Sequence, residues 1–184
     1  MDAYNFSKPV KLFFVNKPDQ ACYLYALEEI KRLLGKAGIA TSRSMIPAVD
    51  DFFILAAGEA VSTATALPDE LKWDGYVLNT TLSGVTICAK SAKGILNGVY
   101  GLVEQSGVTF VLPGEEGEWF PARLSPMETG TKIMNPRFPY RGVFWQPLKK
   151  EDFPVDQWLE FYAKLRFNSI RYSDEHHAEQ VKKL

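Results

Sequence analysis

Asp174, Glu175, His176 and His177 form an unbroken run of four titratable side chains. Two adjacent imidazoles hold a metal only with ligands brought from elsewhere, because sequence neighbours do not both point at one ion, so no metal site is expected from them. They read either as a solvated loop or as hydrogen-bonding groups beside a polar ligand. Trp145 and Gln146 put a flat stacking face next to an amide, a combination that orients a polar ring, although a tryptophan in an apolar strand equally serves a core. Arg141 offers five donors in a rigid fork, for a ligand or for carboxylates at a domain junction. Glu115, Glu116 and Glu118 bring carboxylates together as acid/base chemistry requires, but their Gly-Pro setting reads as an exposed turn. Cys22 and Cys88 fit neither a disulfide framework nor a zinc site and read as buried thiols. The start of a helix at Cys22 is expected to lower its pKa somewhat.

These residues need elements to position them. Lys11 to Val15 reads as a buried strand, and Asp19 as the N-cap of a helix with Tyr23, Leu27, Ile30, Leu34 and Ala37 on one face and Gly38 at its close. A short polar strand over 39–45, a buried strand from Phe52 to Ala57 and a loop over 59–72 follow. Tyr76 to Thr81 and Val85 to Lys90 read as a hairpin turning at Ser83-Gly84. Next comes a helix over 92–106, with Ser91 as N-cap and Gly107 beyond its end. Ile95, Leu96, Val99, Leu102 and Val103 form its apolar stripe, and Gly94, Gly98 and Gly101 let another backbone approach. A strand Val108 to Leu112 stops at Pro113-Gly114, and 122–135 reads as an extended linker. The order of elements predicts an α/β fold, a mixed sheet of about five strands carrying two principal helices.

From Tyr140 the pattern changes. A strand to Trp145, a polar loop with Pro147 and Pro154, a helix Asp156 to Arg166 and a strand Ser169 to Tyr172 make a second βαβ unit. Trp158, Phe161, Tyr162 and Leu165 are expected to face its sheet, and Ala178 to Leu184 reads as the opening of a further helix.

Gly94 through Gly101-Leu102-Val103-Glu104, then Gly107-Val108-Thr109-Phe110 and Pro113-Gly114, resembles the end of the small α/β domain preceding the catalytic barrel in β-N-acetylhexosaminidases, α-glucuronidases and related glycoside hydrolases. Asn135-Pro136-Arg137-Phe138-Pro139-Tyr140-Arg141-Gly142 stands where those enzymes begin their barrel. The resemblance implies an N-terminal α/β accessory domain over 1–135, hexosaminidase domain-2-like, and an incomplete (β/α) barrel start over 136–184. It implies that hydrolysis belongs to later barrel strands, that this chain carries no catalytic residue, and that Arg141 reaches sugar hydroxyls with Trp145, Gln146, His176 and His177 at the substrate end. Carbohydrate is then the partner, through a parent enzyme whose barrel continues beyond this chain. After Gly142 the pattern departs, with Val143-Phe144-Trp145-Gln146-Pro147 in place of a Leu-Asp and a second arginine, so an N-acetylhexosamine substrate is not implied. The rival reading is a self-standing carbohydrate-binding or interaction module, with Trp73, Trp119 and Trp145 as a sugar platform. A weaker rival is a small enzyme using Glu118 or the histidine pair.

Composition narrows the remainder. In 184 residues with 46% hydrophobic and 23% charged side chains, a normal globular balance, disorder is not expected. A net charge of −1 and no basic stripe argue against nucleic-acid binding. No apolar run spans a membrane, and MDAYNFSKPV lacks a charged-then-apolar leader, which leaves a cytoplasmic protein or one whose leader has been removed. No phosphate or dinucleotide fingerprint occurs, so no cofactor is expected. The apolar faces of 140–184 are expected to associate with another surface, including a second copy.

Overall fold

The computed structural model describes residues 2–6, 10–14, 21–44, 52–56, 67–82, 84–145 and 154–172. Asp19, Ser83, Gln146, the run Asp174 to His177 and the helix expected from Ala178 lie outside the described residues. The chain divides into two units: Met1–Val108 with Phe120–Arg137, and Thr109–Trp119 with Phe138–Leu184.

In chain order the first unit contains β1 (Ala3–Tyr4), β2 (Val10–Phe14), α1 (Ala21–Lys36), β3 (Thr41–Ser44), β4 (Phe52–Ala56), β5 (Tyr76–Thr80), β6 (Val85–Ala89) and α2 (Ala92–Gln105). The second unit then inserts β7 (Thr109–Phe110) and β8 (Glu118–Trp119), joined through a 3-10 turn at Glu115–Gly117. The chain returns to the first unit for β9 (Met127–Glu128) and β10 (Gly130–Met134). Finally β11 (Gly142–Trp145), α3 (Val155–Lys164) and β12 (Ser169–Tyr172) complete the second unit.

The principal sheet has the order β10-β5-β6-β4-β2-β3. Strands β3, β2, β4 and β6 run parallel, while β5 is antiparallel to both β6 and β10. This is the mixed α/β sheet expected from the sequence, with one strand more. The stretch read as a linker contains β10, which pairs Gly130–Met134 against Thr80–Tyr76. All five of its residues are exposed, so the strand is held by its backbone ladder at the sheet edge and not by an apolar face. The strand expected over 108–112 shortens to Thr109–Phe110, because Val111 donates to the Gly117 carbonyl across the turn.

Helix α2 is buried along most of its length, with the sheet on one side and α1 on another. Ser91 caps it, its Oγ accepting from Gly94 N at 3.1 Å. A methyl group at Gly98 would run into Ile87 of β6, and one at Gly101 into the Tyr76 ring of β5, so the glycine row is where the sheet comes closest. Tyr100, on α2, is fully buried. Burial first, with Glu29 and Tyr25 beside it, holds its phenol well above its ordinary range. Glu29 is itself buried in α1 and accepts from Arg32 at 2.8 Å. Val77 and Cys88 pack with Leu71 and Leu67 in a separate cluster. Asn135 stitches the 70–72 turn, accepting from Lys72 N at 2.7 Å and donating to the Glu70 carbonyl at 2.9 Å.

In the second unit α3 turns a different face inward from the one expected. Val155 and Leu159 are buried against Ile170 of β12, whereas Leu165 is 42% exposed. Trp158, Phe161, Tyr162 and Phe167 are half-buried and make a chain of edge-on and tilted ring contacts. The aromatic row satisfies itself, which leaves the aliphatic pair to meet the strands.

Candidate functional site

Strands β11 and β12 are parallel, with Val143 beside Ile170, Phe144 beside Arg171 and Trp145 beside Tyr172. Because Ile170 packs on α3, Phe144 and Arg171 fall on the other face of the pair by the two-residue alternation of strands. Both are exposed, Phe144 to 66%. Parallel strands are ordinarily covered on both faces, whereas this pair is exposed at Phe144 and Arg171. Trp145 and Tyr172 end their strands side by side, and the segments carrying Gln146 and His176-His177 therefore start from the same end. The side chain of Trp145, with Gln146, His176 and His177, lies outside the described residues.

Arg141 stands at the opposite end, just before β11. Its Nε donates to the Arg166 carbonyl at 3.0 Å and its Nη1 to the Phe138 carbonyl at 2.8 Å. Asn168 completes the arrangement: its Oδ1 accepts from Arg141 N at 2.9 Å, its Nδ2 donates to the Pro139 carbonyl at 2.8 Å, and its own N–H donates to the Arg141 carbonyl at 2.8 Å. Arg166 adopts φ 62°, a conformation uncommon outside glycine and asparagine, which brings its carbonyl round to the guanidinium. The fork thus ties the approach to β11 to the turn that ends α3. Nothing in the local sequence announces Asn168 or the left-handed Arg166, since each partner lies more than twenty positions away.

Glu118 corrects the reading of 115–118 as an exposed turn. Glu115 and Glu116 are exposed, but the Glu118 carboxylate is buried and meets Lys164 of α3 at 2.7 Å. Lys164 also lies over the Phe110 ring, 5.6 Å from its centroid. Phe110 and Glu118 are register partners, so one side of the β7–β8 hairpin is directed at α3 while Trp119 is exposed. A carboxylate neutralised in this way is withdrawn from acid/base work.

Elsewhere, Cys88 is buried as expected and Cys22 is only partly so. Burial pushes the Cys22 thiol up, the nearby Lys93 opposing it less strongly, which reverses the expected helix-start effect. Trp73 and Trp119 are both exposed and belong to different units. Among the described residues no group of three metal-binding side chains occurs, and no helix is long and apolar enough to cross a membrane.

No protein-family model matches the chain, and neither does any curated protein. Its fold is similar to that of several solved glycoside hydrolases. A Streptomyces plicatus β-hexosaminidase variant in complex with its product GlcNAc aligns at TM-score 0.65 and 18% identity, over 92% of this chain and 31% of that one. Flavobacterium johnsoniae chitobiase aligns at 0.61 and 17%, over 98% and 27%. A family GH115 4-O-methyl-α-glucuronidase with specificity for decorated arabinogalactans aligns at 0.63 and 14%, over 92% and 25%. The chain spans about a quarter to a third of the length of these proteins. It thus resembles a fragment of such enzymes.

Proposed function

We propose that the chain is the non-catalytic α/β accessory domain of a carbohydrate-degrading glycoside hydrolase, followed by the opening βαβ unit of its catalytic barrel. The observation that carries this reading is that a single fold likeness runs over 92% of the chain, through both units, to hydrolases of different sugars while occupying less than a third of each. Two features of the second unit support it. One is the parallel crossover β11–α3–β12, the repeat from which such barrels are made; the other is its uncovered face with Phe144 and Arg171. A self-standing sugar-binding module is not favoured, because the likeness is to portions of larger hydrolases.

In this proposal the accessory domain supports the barrel, and glycosidic cleavage uses a carboxylate pair on later strands. Trp145, Gln146, His176 and His177 follow the ends of β11 and β12, where barrel loops gather, and contribute to sugar binding there. Arg141, at the other end of β11 with its fork donated to the Phe138 and Arg166 carbonyls, braces the entry to that strand.

The test compares the chain with the protein translated through its downstream reading frame, on nitrophenyl N-acetylglucosaminide, glucuronide and xyloside. The chain alone is expected to be inactive, and the longer protein to contain five or more further βα repeats and to cleave an aryl glycoside. A stop codon at Leu184, or turnover by the chain itself that is lost in Glu118→Gln, overturns the proposal.

A further inference from the structure

The first unit contains a groove of about 600 Å³ whose walls include Asn5, Phe6, Gly38, Ile39, Arg123 and Leu124. That volume lies within the range of small-molecule sites. Three backbone arrangements fix its walls. Strand β1 is paired to β9 and extended by Thr129, which donates to the Asp2 carbonyl from N at 3.1 Å and from Oγ1 at 3.2 Å, so Asn5 and Phe6 leave a pinned strand. The 122–125 segment is anchored where Ser125 N donates to the Ser106 carbonyl at 2.8 Å. The end of α1 is closed by Gly38 N to Gly35 O at 3.0 Å and Ile39 N to Leu34 O at 2.9 Å, with Gly38 at φ 78°.

The lining combines an apolar ring with polar side chains. The Phe6 ring is half-buried and held edge-on by buried Tyr4, with centroids 5.0 Å apart and planes at 79°. It lines the groove with apolar surface of the kind that meets the C–H side of a pyranose. Arg123 and Asn5 are exposed, and among the described residues their side chains make no hydrogen bond or ion pair. Together they supply a donor fork and an amide that both gives and accepts. Charge selects the ligand class. The negative pole at the end of α1, offset in part by Lys36 in its last turn, and the positive Arg123 leave no strong field of either sign, which suits a neutral, hydroxyl-rich molecule.

We infer that this groove is a glycan subsite of the accessory domain, separate from the sugar end of β11 and β12, and that it takes a short neutral oligosaccharide. The inference rests on the proposed role in glycan degradation.

The intact chain, labelled with nitrogen-15, is titrated with xylobiose, cellobiose and chitobiose, and with glucuronate and glucosamine as charged controls. At least one neutral disaccharide is expected to shift the Gly38, Ile39 and Ala122 amides saturably. Phe6→Ser and Arg123→Met are each expected to weaken that binding about tenfold, the loss of one good contact. Arg123→Met removes an exposed side chain and is expected to keep the parent melting temperature, so it carries the test if Phe6→Ser does not fold. No saturable shift with any of the three, binding unaffected by Arg123→Met, or tighter binding of glucuronate would each overturn the inference. If the groove stays empty while the extended protein cleaves glycosides, only the subsite fails. A groove that binds sugar in a protein without that activity would retain the subsite and remove the proposed enzyme.

Discussion

Glu118 and Lys164, 46 positions apart, meet as a buried ion pair at 2.7 Å, with their side chains 1% and 3% exposed. The hairpin carrying Glu118 follows α2 of the first unit in sequence, yet it is grouped with α3 in the second. This pair, with Lys164 also lying over the Phe110 ring, ties to α3 a segment that sequence alone assigns to the preceding domain.

Removing one member leaves the other charged and buried, at a cost of about 3–5 kcal/mol. Lys164→Met is therefore expected to lower the stability of the second unit by that order, and adding Glu118→Leu to restore most of it. Urea unfolding followed by the fluorescence of Trp119 and Trp158 reads this directly. A single variant as stable as the parent would show that the pair is solvated in solution.

Gly98→Val is expected to be strongly destabilising, because its side chain would meet Ile87 of β6 at the tightest part of the helix–sheet contact. Overpacking of this kind costs about 1–3 kcal/mol, more than the modest helix-propensity gain on replacing glycine. An unchanged melting temperature would mean that the glycine row does not face the sheet.

The glycine row, the apolar stripe and the Ser91 cap of α2 were legible because each signal is local: spacing, small residues and a capping side chain within one helix. The β5–β6 hairpin and β11 were legible as apolar runs. Strand β10 was not, since a fully exposed edge strand has no buried face to impose alternation. Glu118 was misread because GEEGE looks like a turn until Lys164 is folded against it. The inward face of α3 was misassigned for a related reason: the four aromatics pack on one another and leave Val155 and Leu159 to meet the strand. Arg141 stood out by resemblance, but its partners are backbone carbonyls, which sequence does not display.

Tyr100 makes stability depend on alkaline pH. Its folded pKa is raised, by burial first and then by Glu29 and Tyr25, so the neutral phenol is the form that suits the fold. The contribution is complete below the unfolded value near 10 and is lost as pH climbs from there toward the folded value. Tyr23 and Tyr162 act in the same direction. The melting temperature is expected to fall as pH rises above about 10, less steeply in Tyr100→Phe. Parallel pH profiles for the two proteins would count against this.

Asn168→Ala removes both side-chain hydrogen bonds that brace Arg141 and Pro139. At roughly 0.5–1.5 kcal/mol each, the expected loss is about 1–2 kcal/mol, confined to the second unit. Faster amide exchange across β11 and β12, with the first unit unaltered, is the predicted signature. Arg141→Lys is expected to do the same, because an ammonium cannot serve two divergent carbonyls as the fork does.

The uncovered face of β11–β12 is expected to make the isolated chain self-associate. Phe144→Ser should shift it toward the monomer in sedimentation, since burying such a ring is worth about 1.5–3 kcal/mol. A chain that is monomeric at high concentration with Phe144 intact would show that this face needs no cover.

The two margins of the principal sheet also bear on polymerisation. An unpaired strand edge is a template on which other chains grow ladders, and proteins suppress that by placing charge and polarity there. Here the outermost strands are the polar β3, with exposed Ser42 and Arg43, and β10, with exposed Thr131 and Lys132, while the apolar ladders β2, β4, β5 and β6 lie between them. The apolar strands described in this sheet are therefore fenced at both sides. Loss of β10, which is held by its backbone ladder and by hydrogen bonds from Thr131 to Asn79 and from Lys132 to Gln105, would open the Tyr76–Thr80 ladder to another chain.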